Sequence, residues 1–221
     1  DLMETKEVRK GNTWQINVTK PYSGMMKLYF PEQNVSINFI SENKDIKLKF
    51  DVENSKVSNI QYLDESNFVM NNLQDVQQKK EFILPALFQM KEYYKDNSDF
   101  GKAIENEIGR LSNNSETSAK YPFVSFYKTN YAKFLEKSAA KKPVTHKDII
   151  EFLTKSNDFL ETSSLMRPIL VSYLNIGPST NVSADIDQLL TAVNVETPRG
   201  QTVLSELIEI FDLYEMKDLK D

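Results

Sequence analysis

The chain has 221 residues, no cysteine and one histidine, which removes disulfide, thiolate and cysteine-based zinc chemistry from its own repertoire. A net charge of −5 and a pI near 5.2 exclude a general nucleic-acid binder, which needs excess Lys and Arg against phosphate. Hydrophobic residues at 40% and charged residues at 27% are those of a globular protein, and no apolar run approaches the roughly 18 residues of a membrane span.

Asp1 to Lys10 is too polar to place. From there the pattern has period two. Trp14, Ile16 and Val18 share one face, as do Met26, Leu28 and Phe30. Val35, Ile37 and Phe39 follow, then Ile46, Leu48, Phe50 and Val52, and a last strand runs from Val57 to Leu63 with Ile60 and Tyr62. Polar residues such as Lys27, Asn38 and Lys49 fill the intervening positions, the alternation of antiparallel strands with one buried face. Pro21–Gly24, Pro31–Asn34, Glu42–Asp45 and Glu53–Lys56 are turn sequences, and the spacing predicts a β-meander or sandwich-like sheet.

From about Asn67 the period becomes 3.6. Leu73, Val76, Ile83, Leu84, Leu87 and Met90 form a helical stripe that Pro85 kinks or divides. Ile104, Ile108 and Leu111 predict a short helix, and the Ser/Asn-rich run 111–119 a loop. Phe123, Tyr127, Tyr131, Phe134 and Leu135 predict an aromatic helix. Thr145 and Asp148 form a capping arrangement ahead of Ile149, Ile150, Phe152 and Leu153. Ile169 to Leu174 follows Pro168, and Ser183 is placed to cap a helix carrying Ile186, Leu189 and Leu190. Thr197-Pro198 opens a last helix through Tyr214. The expected fold class is therefore α+β: an antiparallel sheet in residues 1–66, then a larger all-helical subdomain in 67–221.

Chemistry is scarce. His146 lacks ligand partners beyond Asp148 and Glu151, reads as a solvated surface residue, and has no Gly-x-Ser-x-Gly elbow to serve. The glycines form no phosphate-binding loop. Asp185/Asp187 and Glu206/Glu209 read as charged helix faces rather than acid–base pairs. No catalytic, metal or cofactor-binding residue is assigned, and no cofactor is expected. Tyr121, Phe123, Phe126, Tyr127, Tyr131 and Phe134 are the candidate partner-binding surface. They cover more than one face of their helix, although core packing is the ordinary reading of such a set.

The run Arg9-Lys10-Gly11-Asn12-Thr13-Trp14-Gln15-Ile16 resembles the first strand of an N-terminal region found in Bacteroidetes thioredoxin-like envelope proteins of the AhpC/TSA or TlpA-like class. Pro21-Tyr22 through Phe30, Ile40 to Phe50 and Ile60 to Asn67 follow the same order of motifs, with Leu63-Asp64-Glu65 departing from the family's usual glycine. The recognisable motifs cover about a quarter of the chain. The resemblance implies a non-catalytic accessory region ahead of a thioredoxin-like domain whose Cys-x-x-Cys lies outside this chain. It further implies a periplasmic or envelope location, a lipid anchor in the parent, and a role in binding protein or peptide substrates, docking that domain, or forming a homo-oligomer. The chain ends within a helical pattern, as a trimmed chain would. The competing expectation is a free-standing envelope lipoprotein module that binds peptides or proteins.

Overall fold

The computed structural model describes residues 3–7, 11, 13–94, 98–112, 120–136, 143–177, 182–216 and 219. Antiparallel strands precede helices, as the change of period from two to 3.6 requires. The strands pair locally as two separate hairpins rather than as one continuous meander. β1 (Ser23–Phe30) pairs with β2 (Val35–Glu42) across the turn at 31–34, where Asn34 takes the left-handed conformation. β3 (Leu48–Glu53) pairs with β4 (Lys56–Tyr62) across Asn54 and Ser55, both left-handed. Two consecutive left-handed residues make a turn whose twist matches that of the flanking strands.

A register shift between Lys49 and Asp51 leaves Phe50 at an irregularity, its ring 5.6 Å from that of Phe30 and 6.2 Å from that of Trp14. These three rings join the hairpins, and the Tyr62 hydroxyl adds a 2.7 Å bond to the Asn38 carbonyl. Trp14 to Val18, expected as a strand, forms no ladder. Trp14 and Ile16 are half-buried while Thr13, Gln15 and Asn17 are exposed.

Asp64 starts the helical part. Its carboxylate accepts the Asn67 amide and caps α1 (Glu65–Phe82), satisfying one of the amides a helix leaves open. α1 runs into α2 (Leu84–Tyr93) at Ile83, and Pro85 sits in the first turn of α2, where its missing N–H costs nothing. α3 (Asp99–Ser112) buries Ile104 and Leu111. The run expected as a loop begins inside α3, and from residue 113 to 119 it lies outside the described residues.

α4 (Pro122–Phe134) receives its cap from another element. Glu42, the last residue of β2, accepts the Phe123 amide at 2.9 Å. α5 (His146–Lys155) has the full capping box, Thr145 and Asp148 each accepting the other's amide. α6 (Phe159–Thr162) is a single turn that periodicity did not reveal, and α7 (Met166–Leu174) carries Pro168 within its first turn. α8 (Val182–Val193) contains Ser183 as its second residue, so that serine is not the cap expected of it. α9 (Pro198–Leu213) begins at the Thr197 cap, whose hydroxyl accepts the Gly200 amide.

The core lies among α4–α9. Phe123, Val124, Ile149, Leu153, Leu160, Ile169, Leu170, Tyr173, Leu189, Val203 and Leu207 are all fully buried. Each contributes roughly 1.5–3 kcal/mol of transfer free energy. Ile40 of β2 and Met70 and Leu73 of α1 belong to the same cluster, which ties the first hairpin to the helices. Arg199 fastens the end of α5 to α9. Its guanidinium donates to the carbonyls of Leu153 (3.2 Å), Ser156 (2.5 Å) and Asn157 (3.0 Å) and pairs with Glu161. A cation at a helix C-terminus satisfies carbonyls that have no partner within the helix. Among the described residues no helix is long and apolar enough to cross a membrane.

Candidate partner-binding surface

The aromatic set read as a candidate surface is for the most part core. Phe123 is 0% exposed, Tyr121 4%, Phe134 5% and Tyr127 8%. The cause is α4's position: its rings meet neighbours on more than one side. Phe123 and Phe126 meet Phe159, at 5.5 and 5.7 Å between centroids, and Phe134 meets Phe152 at 4.6 Å. A helix that is aromatic on several faces is one that other elements surround. Only Phe126 and Tyr131 keep partial access. The Tyr131 hydroxyl donates to the Glu81 carboxylate, so it is already engaged with α1.

Exposed apolar residues lie elsewhere, some of them scattered (Leu63, Phe68, Leu213 and Tyr214) and one group gathered together. Phe82, Ile83, Phe88, Tyr93, Tyr94 and Phe100 are all exposed, Tyr93 by 84% and Phe82 by 72%. They fall where α1 ends, along α2, and where α3 begins. α2 buries none of its residues fully. Its more buried side is Leu84, Leu87 and Met90, half-buried and spaced three apart as the stripe required; Phe88, four residues after Leu84, and Tyr93, three after Met90, flank that stripe and are exposed.

Several contacts hold this surface in place. Lys91 of α2 pairs with Glu105 of α3 at 2.9 Å, and the rings of Tyr94 and Phe100 pack edge-on at 4.8 Å. Gly101 lets the α3 backbone approach closely: a Cβ there would sit 2.9 Å from the Tyr94 carbonyl oxygen. Lys80 pairs with Glu136, tying the end of α1 to the segment after α4. The aromatic rings are thus displayed on braced helices rather than on a loose loop. The stripe read from the sequence did not mark this surface: Ile83, counted on it, is 43% exposed.

His146, Glu206, Glu209 and Asp185 make contacts between helices. His146 is not a solvated surface residue. Its Nε2 lies 3.0 Å from the Tyr173 carbonyl and its ring 4.5 Å from that of Tyr173, joining α5 to α7. Glu206 and Glu209 of α9 both pair with Arg167 of α7, which makes them a helix-to-helix clamp. Asp185 is half-buried, and its backbone carbonyl receives the Tyr173 hydroxyl at 2.7 Å. Among the described residues no group of three His, Asp or Glu side chains is placed to hold a metal ion. A cleft beside β2, lined by Asn38, Tyr62, Asn67, Asn71 and Gln74, has a volume of about 20 Å³, room for one water molecule. No protein-family model, curated protein or solved structure matches the chain.

Proposed function

We propose that this chain is a non-catalytic protein-binding region that presents α2 and its flanks to a partner protein. The observation that carries the reading is α2, a braced helix with no fully buried residue and with Phe88 and Tyr93 exposed on its flanks. Phenylalanine and tyrosine supply large contact area at little entropic cost, and exposed apolar groups gathered in one region mark interaction surfaces. The resemblance of the strand motifs supports one choice of partner: a thioredoxin-like domain of the same envelope protein, which this region would dock or supply with substrate. A cysteine-free region suits that work, since it offers no thiol to compete in exchange.

The test is to read the gene beyond Asp221 and to titrate this chain calorimetrically with any thioredoxin-like domain encoded there. Binding is expected, and a Phe88→Ser/Tyr93→Ser variant should weaken it by at least about tenfold, the loss of more than 1 kcal/mol that marks an interface anchor. A gene that encodes no such domain overturns the accessory reading. In that case binding of an unrelated envelope protein through the same two residues would support the free-standing module.

A further inference from the structure

We propose that residues 13–19 form an edge strap, poised to close on the outer edge of β1 as a third strand of the first hairpin. The state of that edge follows from hydrogen bonding. Ile40 exchanges bonds with the side chain of Asn67, so its N–H and C=O point away from β1. Antiparallel pairs alternate between hydrogen-bonded and non-bonded, so Met25, Lys27 and Tyr29, opposite Ile40, Asn38 and Ser36, also point their backbone groups outward. The Tyr22 hydroxyl donates to the Met25 carbonyl at 3.0 Å. The outward groups of Lys27 and Tyr29 have no protein partner among the described residues, and an open edge of this kind is a template for another strand.

The strap already has a strand's character. Trp14 and Ile16 are half-buried between exposed Thr13, Gln15 and Asn17, and the Gln15 and Asn17 side chains bond to one another at 2.7 Å, as same-face neighbours two apart can. Trp14 is anchored on Phe50. A three-residue connection, Lys20-Pro21-Tyr22, joins Thr19 to Ser23 and sets the register. Ile16 falls opposite Met26 and Trp14 opposite Leu28, apolar against apolar, while Gln15 falls opposite Lys27 and Thr13 opposite Tyr29. The Gln15 carbonyl, which would take the Lys27 amide, is held instead by the Lys6 ammonium at 2.6 Å. Closing exchanges that bond for a ladder and withdraws β1 from any extended partner.

Amide hydrogen exchange of the full chain tests this, comparing the wild type with Gln15→Pro, which lacks the N–H that would bond to Lys27, and with Gln15→Ala, which keeps it. The Lys27 and Tyr29 amides should exchange about tenfold or more faster in Gln15→Pro than in the other two, with the Ile40 amide unchanged as a check on folding. Equal rates at Lys27 and Tyr29 in wild type and Gln15→Pro overturn the proposal. So does protection that grows with protein concentration, since the strap of a second copy would then be the occupant.

Discussion

The side chain of Asn67 pairs with the backbone of Ile40 as a neighbouring strand would, its Oδ1 accepting the Ile40 amide at 2.6 Å and its Nδ2 donating to the Ile40 carbonyl at 2.9 Å. Asn67 is 2% exposed, and its own amide is held by Asp64. One carboxamide therefore closes the edge of β2 and seats the first turn of α1 upon it. Asn67→Ala leaves two buried backbone groups of Ile40 unpaired and should cost about 2–3 kcal/mol. Urea unfolding followed by circular dichroism measures this, and a change below about 0.5 kcal/mol would show that water replaces the carboxamide freely.

Two glycines should respond in opposite directions. At Gly200 a Cβ would lie 2.1 Å from the Asn194 carbonyl oxygen, a backbone atom that cannot turn aside. Gly200→Ala should therefore lose at least about 1–3 kcal/mol through overpacking. Gly109, inside α3, has nothing within 4 Å of the same position. There Gly109→Ala should gain about 0.5–1 kcal/mol by removing backbone freedom from the unfolded chain. Thermal unfolding of the two variants reads both signs, and a shared sign would contradict the geometry.

Stability should fall in alkali through Tyr173. Burial, and then the Asp185 charge, push its phenol up to about 12 from the ordinary value of 10. Because the folded value is the higher one, this contribution is intact below pH 10 and is lost as the pH rises through about 12. Tyr173→Phe loses the bond to the Asp185 carbonyl, about 1 kcal/mol at neutral pH, but should show a shallower decline across that window. Tyr22, Tyr62 and Tyr127 are raised by burial too, so some slope persists in the variant. An unchanged slope would remove Tyr173 as a cause.

Core and surface aromatics should separate cleanly. Phe123→Ala, at a fully buried position, should cost about 3–5 kcal/mol in chemical denaturation. Phe88→Ser, at a position 51% exposed, should stay within about 0.5 kcal/mol of the wild type. A large loss from Phe88→Ser would mean that α2 packs more tightly than its exposure indicates, and it would weaken the case for α2 as a docking surface.

Much of the fold was legible because its signals are short-range. The Thr145 and Asp148 capping box, the Thr197-Pro198 start of α9 and the Asn54-Ser55 turn each depend on groups within four residues of one another, so residue type alone specifies them. The change from period two to period 3.6 near Asn67 likewise placed the junction that Asp64 caps. Periodicity says which residues share a face but not what meets that face. Phe123 and Phe88 are alike as letters; one is enclosed because α6 brings Phe159 against it, and the other stays 51% exposed on α2. The same limit applies to Asn67 and Ile40, to Glu42 and the Phe123 amide, and to Arg199 and the end of α5. Those partners lie 27, 81 and 43 residues apart, where only the packing of the whole chain decides which groups meet.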